Sequence, residues 1–309
     1  MKSLHKTYLS IILWAVILMG SPSQCNAQTS NIDELRSIFS SNDIDSISPW
    51  ELNKPVLLSF DLGKQALPFL ETMLLQSDKT KSYLAAYSIA VIGGTKSADI
   101  LKKAYNKKQD IGFKTLLCFS LASTGRKTDI GFLVRALHGE HIGDEGPPIQ
   151  QAAFSLGVLR AKEAKSALQK TASKQSGFAS EAADYALSWL NGDMWDTDMR
   201  ENTITDSIIY SLFRFGIPRL DESTAFVEKA SNRIWYRKGK NWTHEPLTDS
   251  ITDKVPSISF QTHVTQDEMR AICSVGLLFG PLNGSGYDII LKKRDGIWKV
   301  IGIMQTWVS

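Results

Sequence analysis

Only three cysteines occur in the 309 residues, and one of them, Cys25, belongs to an amino-terminal segment with the character of an export signal. The other two, Cys118 and Cys273, lie in separate apolar stretches, so no disulfide framework is expected. Long apolar runs are missing as well. The longest, Tyr8 to Met19, is about a dozen residues and too short for a stable membrane span. Charge of one sign is not in excess: 35 Lys and Arg stand against 32 Asp and Glu, which argues against a nucleic-acid partner. Catalytic signatures are absent too. His138 and His141 make HxxH without the flanking Glu of a metallohydrolase, so no metal or cofactor is expected and the pair stays a weak metal candidate. Ser285 sits in Gly-Ser-Gly, short of a five-residue nucleophile elbow. The glycine-rich stretch Gly280 to Gly286 precedes a strand and lacks the P-loop lysine, so it is expected to be a hairpin loop.

What is present begins with an export pattern. Lys2 and Lys6 precede the apolar run, and a polar stretch ends in Cys25-Asn26-Ala27 with small residues at minus three and minus one. Residues 1–27 are therefore expected to be a signal peptide cut after Ala27, placing the product in a periplasm or outside the cell. Asn31 or Ser30 is a plausible cap for a helix over residues 31–47.

Next comes a repeat. Ser88-Ile89-Ala90-Val91-Ile92-Gly93 returns at Ser120 to Gly125, at Ser155 to Arg160 and, faintly, at Ala186 to Asn191, with offsets of 32, 35 and 31 residues. A period of this size marks stacked helix pairs, since one pair cannot bury its apolar face alone. The expected pairs are Tyr83–Ile92 with Ser97–Tyr105, Phe113–Thr124 with Ile130–Leu137, and Ala152–Leu159 with Glu163–Thr171, after a divergent first pair from Val56 to Leu75. Small residues mark the seams, among them Ala85, Ala86, Ala122, Ala152 and Gly157. Over about residues 50–192 this pattern resembles the HEAT-like repeat family. The resemblance implies a protein-binding scaffold that uses the surface lined by its second helices.

Beyond Asn191 the period stops. Residues 193–202 carry four acids and no core, and are expected to be a linker. An amphipathic helix is expected over 204–213, then strands at Arg233–Arg237, Asn241–His244, Ser257–Val264, Ala271–Phe279, Tyr287–Lys293 and Trp298–Val308. Asp295-Gly296 is a strong hairpin turn. The tail from Gly286 to Val300, with Thr306-Trp307-Val308-Ser309, resembles the closing hairpin of the nuclear-transport-factor-two-like fold, which implies a curved sheet around a pocket.

The fold class expected is thus multidomain: an all-α HEAT-like solenoid over 28–192, a linker, and a small α+β domain with an antiparallel meander sheet over 203–309. The function expected is an exported, non-enzymatic protein-binding scaffold. Lys103, Arg135 and Lys165 on second helices are its partner-binding candidates. One alternative is a small-ligand-binding or hydrolytic pocket in the carboxyl-terminal part, lined by His263, Tyr287 and Trp298. A further alternative is neutralisation of a toxin, a role the second resemblance implies.

Overall fold

The computed structural model describes residues 22–41, 44, 52–76, 78–105, 107, 110–140, 146–174, 177–197, 203–248 and 255–308. Most of the segment expected as a signal peptide, with His141 and residues 198–202, lies outside them.

Helix starts follow from local chemistry. Asn53, Asp78, Asp110 and Thr203 each accept a hydrogen bond from the backbone N–H three residues on, the N-cap arrangement that satisfies an otherwise orphaned donor. The helices so opened are α2 (Lys54–Leu62), α4 (Lys79–Ile92), α6 (Ile111–Leu121) and α11 (Ile204–Phe215). Gly63 and Gly93 end α2 and α4 at positive φ, 55° and 67°. Between these lie α1 (Pro22–Ser40), α3 (Leu67–Leu74), α5 (Gly94–Tyr105), α7 (Lys127–Ala136), α8 (Pro147–Val158), α9 (Lys165–Lys174) and α10 (Phe178–Trp189). The first departs from expectation. Neither Ser30 nor Asn31 caps it, because no Gly or Pro interrupts Ser23 to Ser40 and the helix runs through Ala27.

Helices α2, α4, α6, α8 and α10 stack side by side as an inner layer, and α3, α5, α7 and α9 lie outside them. The apolar Ser88–Ile92 run now has a cause. From Leu84 to Ile92 every residue of α4 is buried, as required of a helix covered on all faces. Outer neighbours cover one side, and a sheet covers the other.

That sheet has eight strands in the order β1-β4-β3-β2-β5-β6-β7-β8 and curls into a half-barrel. They are β1 (Asp196–Thr197), β2 (Ala225–Glu228), β3 (Arg233–Lys238), β4 (Asn241–Pro246), β5 (Ser257–Val264), β6 (Arg270–Gly280), β7 (Asn283–Arg294) and β8 (Ile297–Val308). Two joins are parallel, β1 with β4 and β2 with β5, and the rest are antiparallel. The β7–β8 turn is Asp295-Gly296 at φ 51° and 78°, the positive pair a type I′ turn requires. The glycine-rich stretch is not a loop. Only Pro281 and Leu282 turn, and Gly284 to Gly286 are paired strand residues, because the Trp307 indole lies where a Cβ on Gly286 would be.

The expected architecture is therefore corrected. The sheet is mixed and larger than a meander, and it does not stand apart from the helices. One continuous core runs from Leu35 to Met304. Helices α6 and α8 lie on β8, where Gly302 leaves room for the Phe119 ring and Gln151 Nε2 donates to the Ile303 carbonyl at 2.8 Å. Tyr87 of α4 donates to Asp288 of β7. Helix α11 fills the opposite, concave face, with Phe213 against Trp235 and Trp242 at 4.4 and 5.0 Å between ring centroids. Residues 193–197 are likewise not a free linker, since Met194 and Trp195 pack on the core and Asp196-Thr197 joins the sheet edge.

Candidate functional site

The residues proposed for partner binding, Lys103 on α5, Arg135 on α7 and Lys165 opening α9, are all exposed on the outer layer. Lys103 pairs with Glu71 at 3.1 Å and Arg135 approaches Glu140 at 3.9 Å. Beneath them, buried Asp129 accepts from Lys102, Arg126 and Thr124. Burial alone would raise the Asp129 carboxyl, but these donors outweigh it and hold it below the usual range. This network ties α5 to α7 and keeps the outer layer in register.

The three residues expected to share a pocket do not meet. His263 on β5 pairs with Asp61 of α2 at 2.9 Å, and that bond holds its imidazole above the ordinary value. Tyr287 is buried on β7 opposite Gln305. Trp298 on β8 pairs with Lys293, six residues from Tyr287 along β7, or roughly 20 Å in an extended strand. Asp221 and Glu222 are engaged in other pairings, Asp221 accepting from Tyr185 and Glu222 bonding to Arg219. His138 is exposed, and its expected partner His141 is outside the described residues. Among the described residues, no group of three or more His, Cys, Asp and Glu is placed to hold a metal, and no helix is long and apolar enough to cross a membrane. Burial pushes the Cys118 and Cys273 thiols up to about 12, which makes them inert packing groups.

Trp298 does line a cleft of about 510 Å³. Its floor is the concave helix end at Ser211, Arg214 and Phe215. Its walls are the α6–α7 turn (Ala122 to Gly125), the α8–α9 turn (Val158 to Arg160) and the β7–β8 hairpin (Arg294 to Ile301). Arg160 takes a positive φ of 50° at its turn, and Arg160 and Arg214 both bind Asp193, at 2.7 and 3.3 Å. Arg294 and Lys299 are exposed at the mouth, so four cations face two acids, Asp193 and Asp295. The helical array, the 193 segment and the sheet each contribute one side. A concave site with an aromatic wall and excess positive charge suits an acidic ligand. Trp298 alone was identifiable beforehand. Arg160 reads in sequence as a turn residue, and nothing local links it to Arg214 or Lys299.

A second structural feature is a clamp at the helix ends. Arg270 of β6 donates to the carbonyls of Phe60, Val91 and Ile92 at 3.2, 3.1 and 2.8 Å, and stacks 4.1 Å from the Phe60 ring. Comparison with family models, with curated proteins and with solved structures finds no match for this chain.

Proposed function

We propose that this is an exported, non-enzymatic binding protein whose ligand is an acidic segment of a protein partner, received in the Trp298 cleft. The observation that supports this most is the excess of cations in a cleft walled by both halves of the chain. The own-chain sheet covers the inner helices, so the repeats offer a partner their outer helices and the turn ends that line this cleft. Lys103, Arg135 and Lys165 then act as an outlying surface, set apart from the cleft.

Export is part of the proposal and rests on the Lys2 to Ala27 pattern. Amino-terminal sequencing of the protein from its own cells should begin at Gln28, and an intact Met1 end would remove the export reading. For binding, a photo-crosslinker at Lys299 should capture one partner, and at Lys103 far less of it. Reversing Arg294 and Lys299 to Glu should abolish that capture. Equal capture at both positions, or none at Lys299, would defeat the cleft assignment.

A further inference from the structure

We propose a second site, for a singly charged carboxylate, at the β1 edge of the sheet on the α11 side, where β1, β4 and β3 meet. Register brings its members together. Thr197 of β1 lies directly opposite Trp242 of β4, and Trp242 lies opposite Arg237 of β3, so the three side chains share one face. Trp195, two residues before Thr197, places its ring 4.7 Å from the Arg237 guanidinium carbon, and the Trp242 ring lies 6.0 Å from it.

Three buried donors in this row, Trp195 Nε1, Thr197 Oγ1 and Trp242 Nε1, have no acceptor among the described residues. Trp242 is fully buried and forms the base, while Trp195, Thr197 and Arg237 are half-buried and form the rim. Arg237 has no acid partner among the described residues. The nearest acids in register, Asp196 and Glu245, alternate onto the other face, as does the unpaired Asn241 Oδ1. Natural proteins leave few buried donors unpaired, and each costs stability, so three of them beside one unpaired guanidinium is a site built for an acceptor.

The kind of acceptor follows from charge and shape. One cation favours a monoanion. A guanidinium stacked on indole keeps its N–H edge free, and that edge matches a carboxylate bidentately. A carboxylate has about four lone-pair positions, enough for the Arg237 edge and two of the neutral donors. The half-buried Trp195 ring beside Arg237 offers the aromatic surface that an apolar or aromatic body on that carboxylate would contact.

The full chain, freed of its signal, would be titrated with sodium benzoate, sodium acetate and sodium phosphate at constant ionic strength. Indole fluorescence and melting temperature would be followed. Benzoate should bind saturably and raise the melting temperature, acetate more weakly, and phosphate not at all. Thr197→Val keeps shape but removes a donor, whereas Trp242→Phe removes a donor and also leaves a small cavity. Each should weaken benzoate binding roughly tenfold, and Thr197→Val should leave the free protein at least as stable. Should Trp242→Phe not fold, Thr197→Val and the rim variant Arg237→Gln give the same readout. Absence of a saturable response to either carboxylate would overturn the proposal, and so would phosphate binding more tightly than benzoate. The same holds if Thr197→Val lowers the melting temperature and leaves benzoate binding unchanged, the signature of a donor satisfied by ordered water only.

Discussion

Asp288 is a carboxyl group 2% exposed, between helix α4 and the sheet, accepting from Tyr87 and Ser274. Burial raises it to about 6, against the pull of both hydroxyl donors, and burial beside Asp288 drives the Tyr87 phenol well above its usual range. A group raised on folding binds its proton more tightly in the native state. Its contribution to stability is therefore full below about pH 4 and is lost as pH rises through 6, by about 3 kcal/mol. Urea unfolding between pH 4 and 7 should show this loss, and Asp288→Asn should flatten it and melt higher than the natural chain at pH 7. Equal pH profiles would refute the assignment. Gly157 is a second sensitive residue. A Cβ there would lie 2.6 Å from Trp189 and 2.7 Å from the Ala186 backbone, where α8 and α10 cross. Gly157→Ala is expected to cost about 1–3 kcal/mol in chemical unfolding, although alanine is the better helix former. Its role was legible in sequence as a small residue at a helix seam. That of Asp288 was not, because its partner Tyr87 is 201 positions away.

At the scale of elements, the Arg270 clamp joins β6 to the ends of α2 and α4. The last carbonyls of a helix have no partner within it, and a cation there also opposes the negative end of the helix dipole. Arg270→Met would keep the stem packing but leave three carbonyls without this donor, at a cost of about 2–4 kcal/mol. Hydrogen exchange should then rise first in the final turns of α2 and α4. Uniform change across the chain would contradict a local clamp. The elements themselves were mostly readable, because caps, glycine stops and the Asp295-Gly296 turn are local signals. Strand β2 was missed: Ala225–Glu228 is only four residues, and the turn that joins it antiparallel to β3, Lys229 to Asn232, contains neither Gly nor Pro to mark it.

For the whole molecule, the shared core has a direct consequence. Residues 28–192 alone would expose Tyr87, Phe119 and Gln151, which the sheet covers in the full chain. That fragment should keep its helical far-ultraviolet signal but lose near-ultraviolet structure and self-associate, whereas the full chain should unfold in one transition. A monomeric fragment with a cooperative melt would show that the array is self-sufficient. The cleft belongs to this scale too, since its cations come from three regions brought together only by docking the sheet on the helices.

The sequence by itself determined the helix pairs, their period of just over thirty residues, most strand positions and the hairpin turn, because these follow from spacing within a few residues. Only the tertiary structure decided that the inner helices face their own sheet, that the sheet is mixed, and that Arg160, Arg214 and Trp298 converge. Those outcomes rest on contacts between residues far apart in the chain, and a buried face looks the same in sequence whether a neighbouring repeat or a distant strand covers it.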